Sequence, residues 1–231
     1  MPGRFAIISP PEILRAFFGY IEEPDFPPRH NIVPTQPIPI VTAAAHAQGA
    51  RRHFTLMRWG FLPSFVKDPQ TFALIANARA ETLIDKVSFR AAIKRRRCLV
   101  ISDGFYERSP GRGRGRVTPP LLIRRRDGGP MGFAGLYETW CDPTGGEIDT
   151  ACIVTTPSNQ LVAPICDRMP AIVDRRDFPV WLDNDGVEAS KATALLRPAP
   201  EDVLEIVEVI AGGSLSTADD ASTWPPLAPP N

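Results

Sequence analysis

Twenty-six of the 231 residues are proline, and they are unevenly placed. They gather at 24–39, at 119–120 and after Trp224. Each proline fixes φ near about −65° and removes a backbone donor. Clusters of them favour loops and edge strands over long helices. A β-rich chain with short helices follows.

The pattern between the proline clusters agrees. Arg4–Ile8 reads as a strand. Ser9 is placed to cap a helix, Pro10 and Pro11 suit its first turn, and Ile13, Leu14, Phe17 and Phe18 share one face. Pro24–Pro39 reads as a proline-rich loop, Ile38–Thr42 and His53–Trp59 as a strand pair, and Asp68–Asn77 as loop. Asp85–Arg95 reads as an amphipathic helix with Val87, Ala91 and Ala92 inward and basic residues in a last turn that suits the helix dipole. Short strands follow at Cys98–Ser102, Phe105–Arg108, Leu121–Arg125, Met131–Tyr137, Ala151–Thr155 and Met169–Val173. Asp174–Leu182 reads as a helical element interrupted near Pro179, and Val203–Ile210 alternates as a strand does. The expected fold is α+β: a curved antiparallel sheet or barrel-like core with a few flanking helices. One domain is expected over residues 1–210, with a Gly/Ser/Asp/Pro-rich disordered tail over 211–231.

The net charge is zero, but the charge is segregated. Residues 1–140 hold 21 Lys/Arg against 11 Asp/Glu, and residues 141–231 hold 5 against 15. Twenty-two of the 26 cations are arginine, whose guanidinium chelates phosphate oxygens in pairs. Nucleic acid is therefore a candidate partner, set against plain solvated surface charge. Gly111–Arg116 reads as a basic hairpin tip, more solvated than phosphate-binding. The four cysteines (Cys98, Cys141, Cys152 and Cys166) form no CxxC pair, so neither a structural metal site nor a cofactor is expected. The N-terminus has no apolar stretch long enough for a signal peptide, and no run approaches a membrane span. The expectation is a cytoplasmic monomer with reduced thiols.

Five segments, in order, resemble the SOS response-associated peptidase (SRAP) family: Met1-Pro2-Gly3-Arg4-Phe5, Asn31-Ile32-Val33-Pro34-Thr35, Arg58-Trp59-Gly60-Phe61 with Asn77-Ala78-Arg79-Ala80-Glu81-Thr82, Asp103-Gly104-Phe105-Tyr106-Glu107, and Thr155-Thr156-Pro157 with Cys166-Asp167-Arg168-Met169-Pro170. The resemblance covers about residues 1–185. It implies binding of single-stranded DNA and sensing of abasic sites in the DNA-damage response. It also implies an N-terminal cysteine that closes a thiazolidine with the sugar aldehyde, giving a DNA–protein crosslink, and that is linked to autoproteolysis. On this resemblance the site is Pro2, Asn77, Glu107 and Cys166. The DNA path is Arg4, Asn31, Pro34, Trp59, Arg79 and Arg168.

The chemistry of the residues fits. Glu107 can move protons if a dry site raises its pKa. Asn77 can hold a hydroxyl or carbonyl oxygen without titrating. Arg4, Arg79 and Arg168 suit phosphates. Trp59 and Phe61 could stack on bases, with core packing the alternative for Trp59. Two positions depart from the family. Pro2 stands where the family has cysteine, so no thiazolidine can close there. Cys166 stands where it has histidine, and a thiol is a poorer proton shuttle than imidazole. Pro2 nevertheless offers a secondary amine once Met1 is trimmed, and amines form iminium ions with aldehydes. Three readings stand: a lyase-like variant using Pro2, a binding module with a dead pocket, and a thiol-dependent peptidase using Cys166 with His30, His46 or His53 as base. The stretch from Ala211 to Thr217 differs from the family's, which weakens DNA contacts there.

Overall fold

A computed structural model of the chain describes residues 2–43, 51–108, 120–142 and 144–209. Strand β1 (Phe5–Ile7) is fully buried and leads into helix α1 (Pro11–Phe18). The cap is not made by Ser9. Pro10 sits at the cap position, while the Ser9 hydroxyl donates to Asp103 at 2.7 Å. The Asp103 carboxylate also accepts from the Ile8 and Ser9 amides at 2.6 and 2.8 Å, so a distant carboxylate secures the turn. The helix stops at Gly19, whose φ of 71° is the left-handed conformation that glycine tolerates best. Leu14 and Phe18 face inward and Phe18 stacks on Phe178, but Ile13 is 51% exposed, against expectation.

Strand β2 (Arg29–Ile32) lies inside the expected loop and pairs antiparallel with β1. Strands β3 (Pro37–Ala43) and β4 (Arg52–Trp59) form the expected antiparallel pair. Strand β5 (Asn77–Arg79) is short. The helix expected over 85–95 reduces to α2 (Ala92–Arg95), reached through successive turns. Val87 is 58% exposed and Ala91 is exposed as well, while Phe89, Ala92 and Ile93 carry the burial. Strands β6 (Arg97–Ser102), β7 (Gly104–Arg108), β8 (Pro120–Arg125), β9 (Met131–Cys141) and β10 (Glu147–Pro157) follow. The expected strand over 169–173 is two: β11 (Arg168–Pro170) on β10 and β12 (Ile172–Val173) on β9. Helices α3 (Phe178–Leu182) and α4 (Ala189–Thr193) precede β13 (Leu204–Glu208).

The strands form two sheets. One has the order β13-β8-β7-β1-β2. In the other, β10 pairs with β4, β4 with β3, β3 with β6, β6 with β9, and β9 again with β10, so five strands close a barrel. Closure removes edges that would otherwise seek partners. It does so through a parallel pair, β10 with β4, and β5 adds a second parallel pair on β10, inside a sheet expected to be antiparallel. Gly135 lies where β6, β9 and β10 crowd together, and a Cβ there would sit 2.8 Å from Cys98 Sγ. The sheets are joined by rings: Phe5 of β1 meets Trp59 of β4 edge-on at 5.1 Å and Phe133 of β9 at 6.2 Å. Edge-on contacts of this kind suit the quadrupoles of aromatic rings.

Arg97 has 0% exposure and is still satisfied. It donates to the carbonyls of Trp181 (2.7 Å), Ile93 (2.8 Å) and Val187 (3.0 Å), and also to that of Asp183. A buried guanidinium is tolerable only with such partners. It pins the segment after α3 to the start of β6. No helix among the described residues is long and apolar enough to cross a membrane. The expected Gly111–Arg116 loop tip, His46, and the tail with its 211–217 stretch lie outside the described residues.

Candidate functional site

The five sequence segments converge where the two sheets meet. Asn77 opens β5 and lies beside Ile153 of β10; two residues on, Arg79 lies beside Thr155. Trp59 holds this strand in place. Its indole Nε1 donates to the Ala76 carbonyl at 2.8 Å, and that carbonyl also accepts from the Ile153 amide at 3.0 Å. Trp59 and Phe61 are 0% and 1% exposed, so neither has a free face for a base. The stacking expected of them is corrected to a supporting role, and the core reading of Trp59 holds.

Asn77 reaches across to the segment that precedes β1. Its Nδ2 donates to the Pro2 carbonyl at 3.0 Å, holding the buried second residue against the barrel. Its Oδ1 is buried and accepts no hydrogen bond among the described residues. Buried amide oxygens are seldom left this way. On the far side of β1, Tyr106 donates its amide to the Arg4 carbonyl at 3.0 Å, extending the β1–β7 register of Phe5 with Phe105. One step further, that register sets half-buried Glu107 opposite Gly3. Pro2 precedes β1 and is held by Asn77 at the start of β5, while Glu107 lies on β7, the strand that pairs with β1.

Cys166 arrives on the segment between β10 and β11. Asn159 caps the turn by accepting from the Val162 amide at 3.0 Å, and the Ser158 amide closes the segment on the Asp167 carbonyl at 3.0 Å. This returns Cys166 to the end of β10, beside which Arg79 of β5 lies. Its half-buried thiol lies 3.7 Å from Asp167 Oδ1. His53, one candidate base for a thiol nucleophile, is bound through Nδ1 to Glu22 at 2.7 Å. No group of three or more His, Cys, Asp or Glu among the described residues could hold a metal ion.

The cationic residues differ from one another. Arg79 is exposed. Arg168 is held by Glu81 in a two-pronged pair at 2.8 and 2.9 Å and donates to the Thr155 carbonyl at 2.5 Å. The Arg168 guanidinium holds the Glu81 carboxyl below its usual pKa. Arg4 donates to Asn31 Oδ1 at 2.8 Å, and Asn31 is 2% exposed, so that residue positions Arg4 rather than facing solvent. Pro34 is half-buried beside Thr35, whose φ of 80° places a β-branched residue in the left-handed region. Such strain persists only where neighbours enforce it, here a 2.7 Å bond from the Thr35 amide to the Trp59 carbonyl. Sequence reasoning assigned no role to Glu81, Asp103 or Arg108. The first two lay inside the quoted segments, but their partners are 87 and 94 residues away.

Comparison with known proteins bears on this arrangement. The family model described as SOS response associated peptidase (SRAP) matches residues 1–211. The abasic site processing protein YoqW of Bacillus subtilis is 32% identical over 216 residues, covering 90% of this chain and 92% of its own. The abasic site processing protein HMCES of Gallus gallus is 30% identical over 206 residues, covering 78% of this chain and 61% of its own. A crystal structure from Bacteroides thetaiotaomicron shares the fold at a TM-score of 0.81 and 24% identity, covering 96% of this chain and 97% of its own.

Proposed function

This chain belongs to the SOS response associated peptidase (SRAP) family, and from that premise we propose that it acts on single-stranded DNA at abasic sites, through the amine of Pro2. Relatives named abasic site processing proteins support abasic DNA as the partner. The observation that carries the reading is Asn77, with its amide nitrogen on the Pro2 carbonyl and its buried oxygen unpartnered among the described residues. That oxygen can accept from a hydroxyl of an opened sugar, next to the residue whose nitrogen reacts.

The chemistry available is that of a secondary amine. With Met1 removed, the Pro2 nitrogen attacks the C1′ aldehyde of the ring-opened sugar. A C–N bond forms, and the carbinolamine hydroxyl leaves as water to give an iminium cation. The cation acidifies C2′. Loss of a C2′ proton with departure of the 3′ phosphate cuts the strand by β-elimination, and water then hydrolyses the iminium to regenerate the amine. Glu107, half-buried at the end of β7, is the group we assign to the proton transfers. Cys166 and Arg168 border the site from the β10–β11 side. The setting is the DNA-damage response, with the protein acting as a cytoplasmic monomer.

Reductive trapping tests this. A single strand bearing one abasic site is mixed with the protein and borohydride. The expected result is a reductant-dependent crosslink that acetylating the Pro2 nitrogen abolishes and that Pro2→Ala lowers, because alanine replaces the ring secondary amine by a primary one. Salt-sensitive binding with no crosslink would instead mean a binding module whose covalent chemistry is lost. Absence of any binding would refute both.

A further inference from the structure

The β1–β7 pairing brings together two arginines. Arg4 stands opposite Tyr106, and Arg108 follows Tyr106 by two residues on the same face of β7. Side chains alternate along a strand, so Arg4, Tyr106 and Arg108 point to one side of the sheet. Arg4 and Arg108 are then diagonal neighbours, with backbones about 7–8 Å apart, well within reach of two guanidinium groups. Carried two steps on from Arg4 and Tyr106, the register also sets Arg108 opposite Pro2.

The fold anchors Arg4 and gives neither arginine an acidic partner among the described residues. Arg4 is anchored by Asn31, itself almost fully buried. The Tyr106 hydroxyl donates to the His30 carbonyl at 2.9 Å, which ties the end of β2 to the same face. Arg108 is exposed. Among the described residues, no carboxylate oxygen lies within 4.0 Å of either guanidinium, whereas Arg96, Arg124, Arg125, Arg168 and Arg176 each have an acidic partner. Burial, and after it the repulsion of Arg108, makes the Arg4 guanidinium easier to deprotonate than usual. Two cations that feel each other with no acidic partner among the described residues repel, and a bound anion relieves the repulsion.

We infer that Arg4 and Arg108 form a two-arginine clamp for one phosphodiester, the one flanking the sugar that Pro2 reaches. This rests on the proposed function for its ligand and adds to it a residue outside the five sequence segments. The clamp positions DNA; it does not take part in bond making. Its consequence is register: with one phosphate fixed, the abasic sugar is presented to Pro2 and not its neighbours.

The test uses single strands carrying one abasic site and a single neutral methylphosphonate, moved one linkage at a time along the strand. Binding is measured for the wild type, Arg108→Gln, Arg4→Gln and the double variant. The wild type should lose about tenfold in affinity at one linkage next to the abasic site, as expected for a charge-assisted pair of bonds. Arg108→Gln should lose about as much on the natural strand, show no further loss at that linkage, and lower the salt-dependence slope by about 0.7. The double variant should lose less than the sum of the two single losses in free energy, since both residues hold one phosphate. Thermal melting confirms that each variant is folded. If the wild type binds but Arg108→Gln matches it in affinity, slope and methylphosphonate profile, the clamp is wrong and the proposed function stands. If the wild type ignores the abasic strand altogether, both fall.

Discussion

Trp59→Phe removes one hydrogen bond and part of one ring from the seam between the sheets. Trp59 is 0% exposed, packs edge-on against Phe5 at 5.1 Å, and donates from Nε1 to the Ala76 carbonyl at 2.8 Å. Losing that bond costs about 1 kcal/mol; the carbonyl keeps its bond from the Ile153 amide, so no acceptor is orphaned. The smaller ring leaves a partly filled gap that adds about 1–2 kcal/mol. The total, about 2–3 kcal/mol, corresponds to a Tm lowered by roughly 5–10 °C for a domain of this size. Calorimetry reads the stability, and fluorescence anisotropy of a labelled single strand reads the binding. A supporting Trp59 predicts lower Tm with affinity within about twofold of the wild type at a temperature where both are folded, since stacking alone would be worth about 1–3 kcal/mol per base. An unchanged Tm with a tenfold weaker complex would refute the supporting role and restore Trp59 as a base-stacking residue.

Other residues give sharp outcomes. Asp103→Ala should destabilise by about 2–3 kcal/mol, because three donors from Ile8 and Ser9 lose their acceptor while the relief of a buried carboxyl offsets part of the loss; urea unfolding measures it, and a change under about 0.5 kcal/mol would contradict the assignment. Native thiol labelling should modify Cys141 and Cys166 only. Cys98 and Cys152 are fully buried, and burial pushes the Cys152 thiol up to about 12; rapid reaction of all four would sink that reading. The Glu81 carboxyl is held down by Arg168, so its folded pKa lies below its unfolded one. The stability it contributes is present above the unfolded pKa and lost as pH falls through the folded one. Glu81→Gln should therefore lower stability near pH 7 and narrow its gap to the wild type in acid; a gap independent of pH would contradict the pair.

How much of this could be read from sequence depends on the range of the interactions. Strands such as β6, buried at every residue, are legible as apolar runs, and the strand pair β3–β4 is local. Strand β2 is not, because only Ile32 in Arg29–Ile32 reads as core and its order comes from backbone pairing to β1. The segment over 85–95 carries helical spacing, but Phe89 and Ile93, not Val87 and Ala91, reach the core, and turns put them there. Barrel closure through β9–β10 and the parallel β4–β10 contact depends on packing that no window of sequence contains. The same holds in the site. Asn77 and Glu107 stand out as residue types in context, whereas Trp59 reads from sequence as either a stacking surface or core, because its burial is a property of the whole fold. Glu81 and Arg168 lie 87 residues apart and meet only once β5 and β11 flank β10.

The central claim is that the Pro2 nitrogen carries the abasic sugar. Borohydride-trapped complexes, digested with nuclease and protease and sequenced by tandem mass spectrometry, locate the modified atom. The reduced sugar remnant is expected on the N-terminal peptide that begins at Pro2, and Asn77→Leu should sharply reduce its yield. Attachment instead to Lys67, Lys86, Lys94 or Lys191, or a yield indifferent to acetylation of the Pro2 nitrogen, would contradict the account.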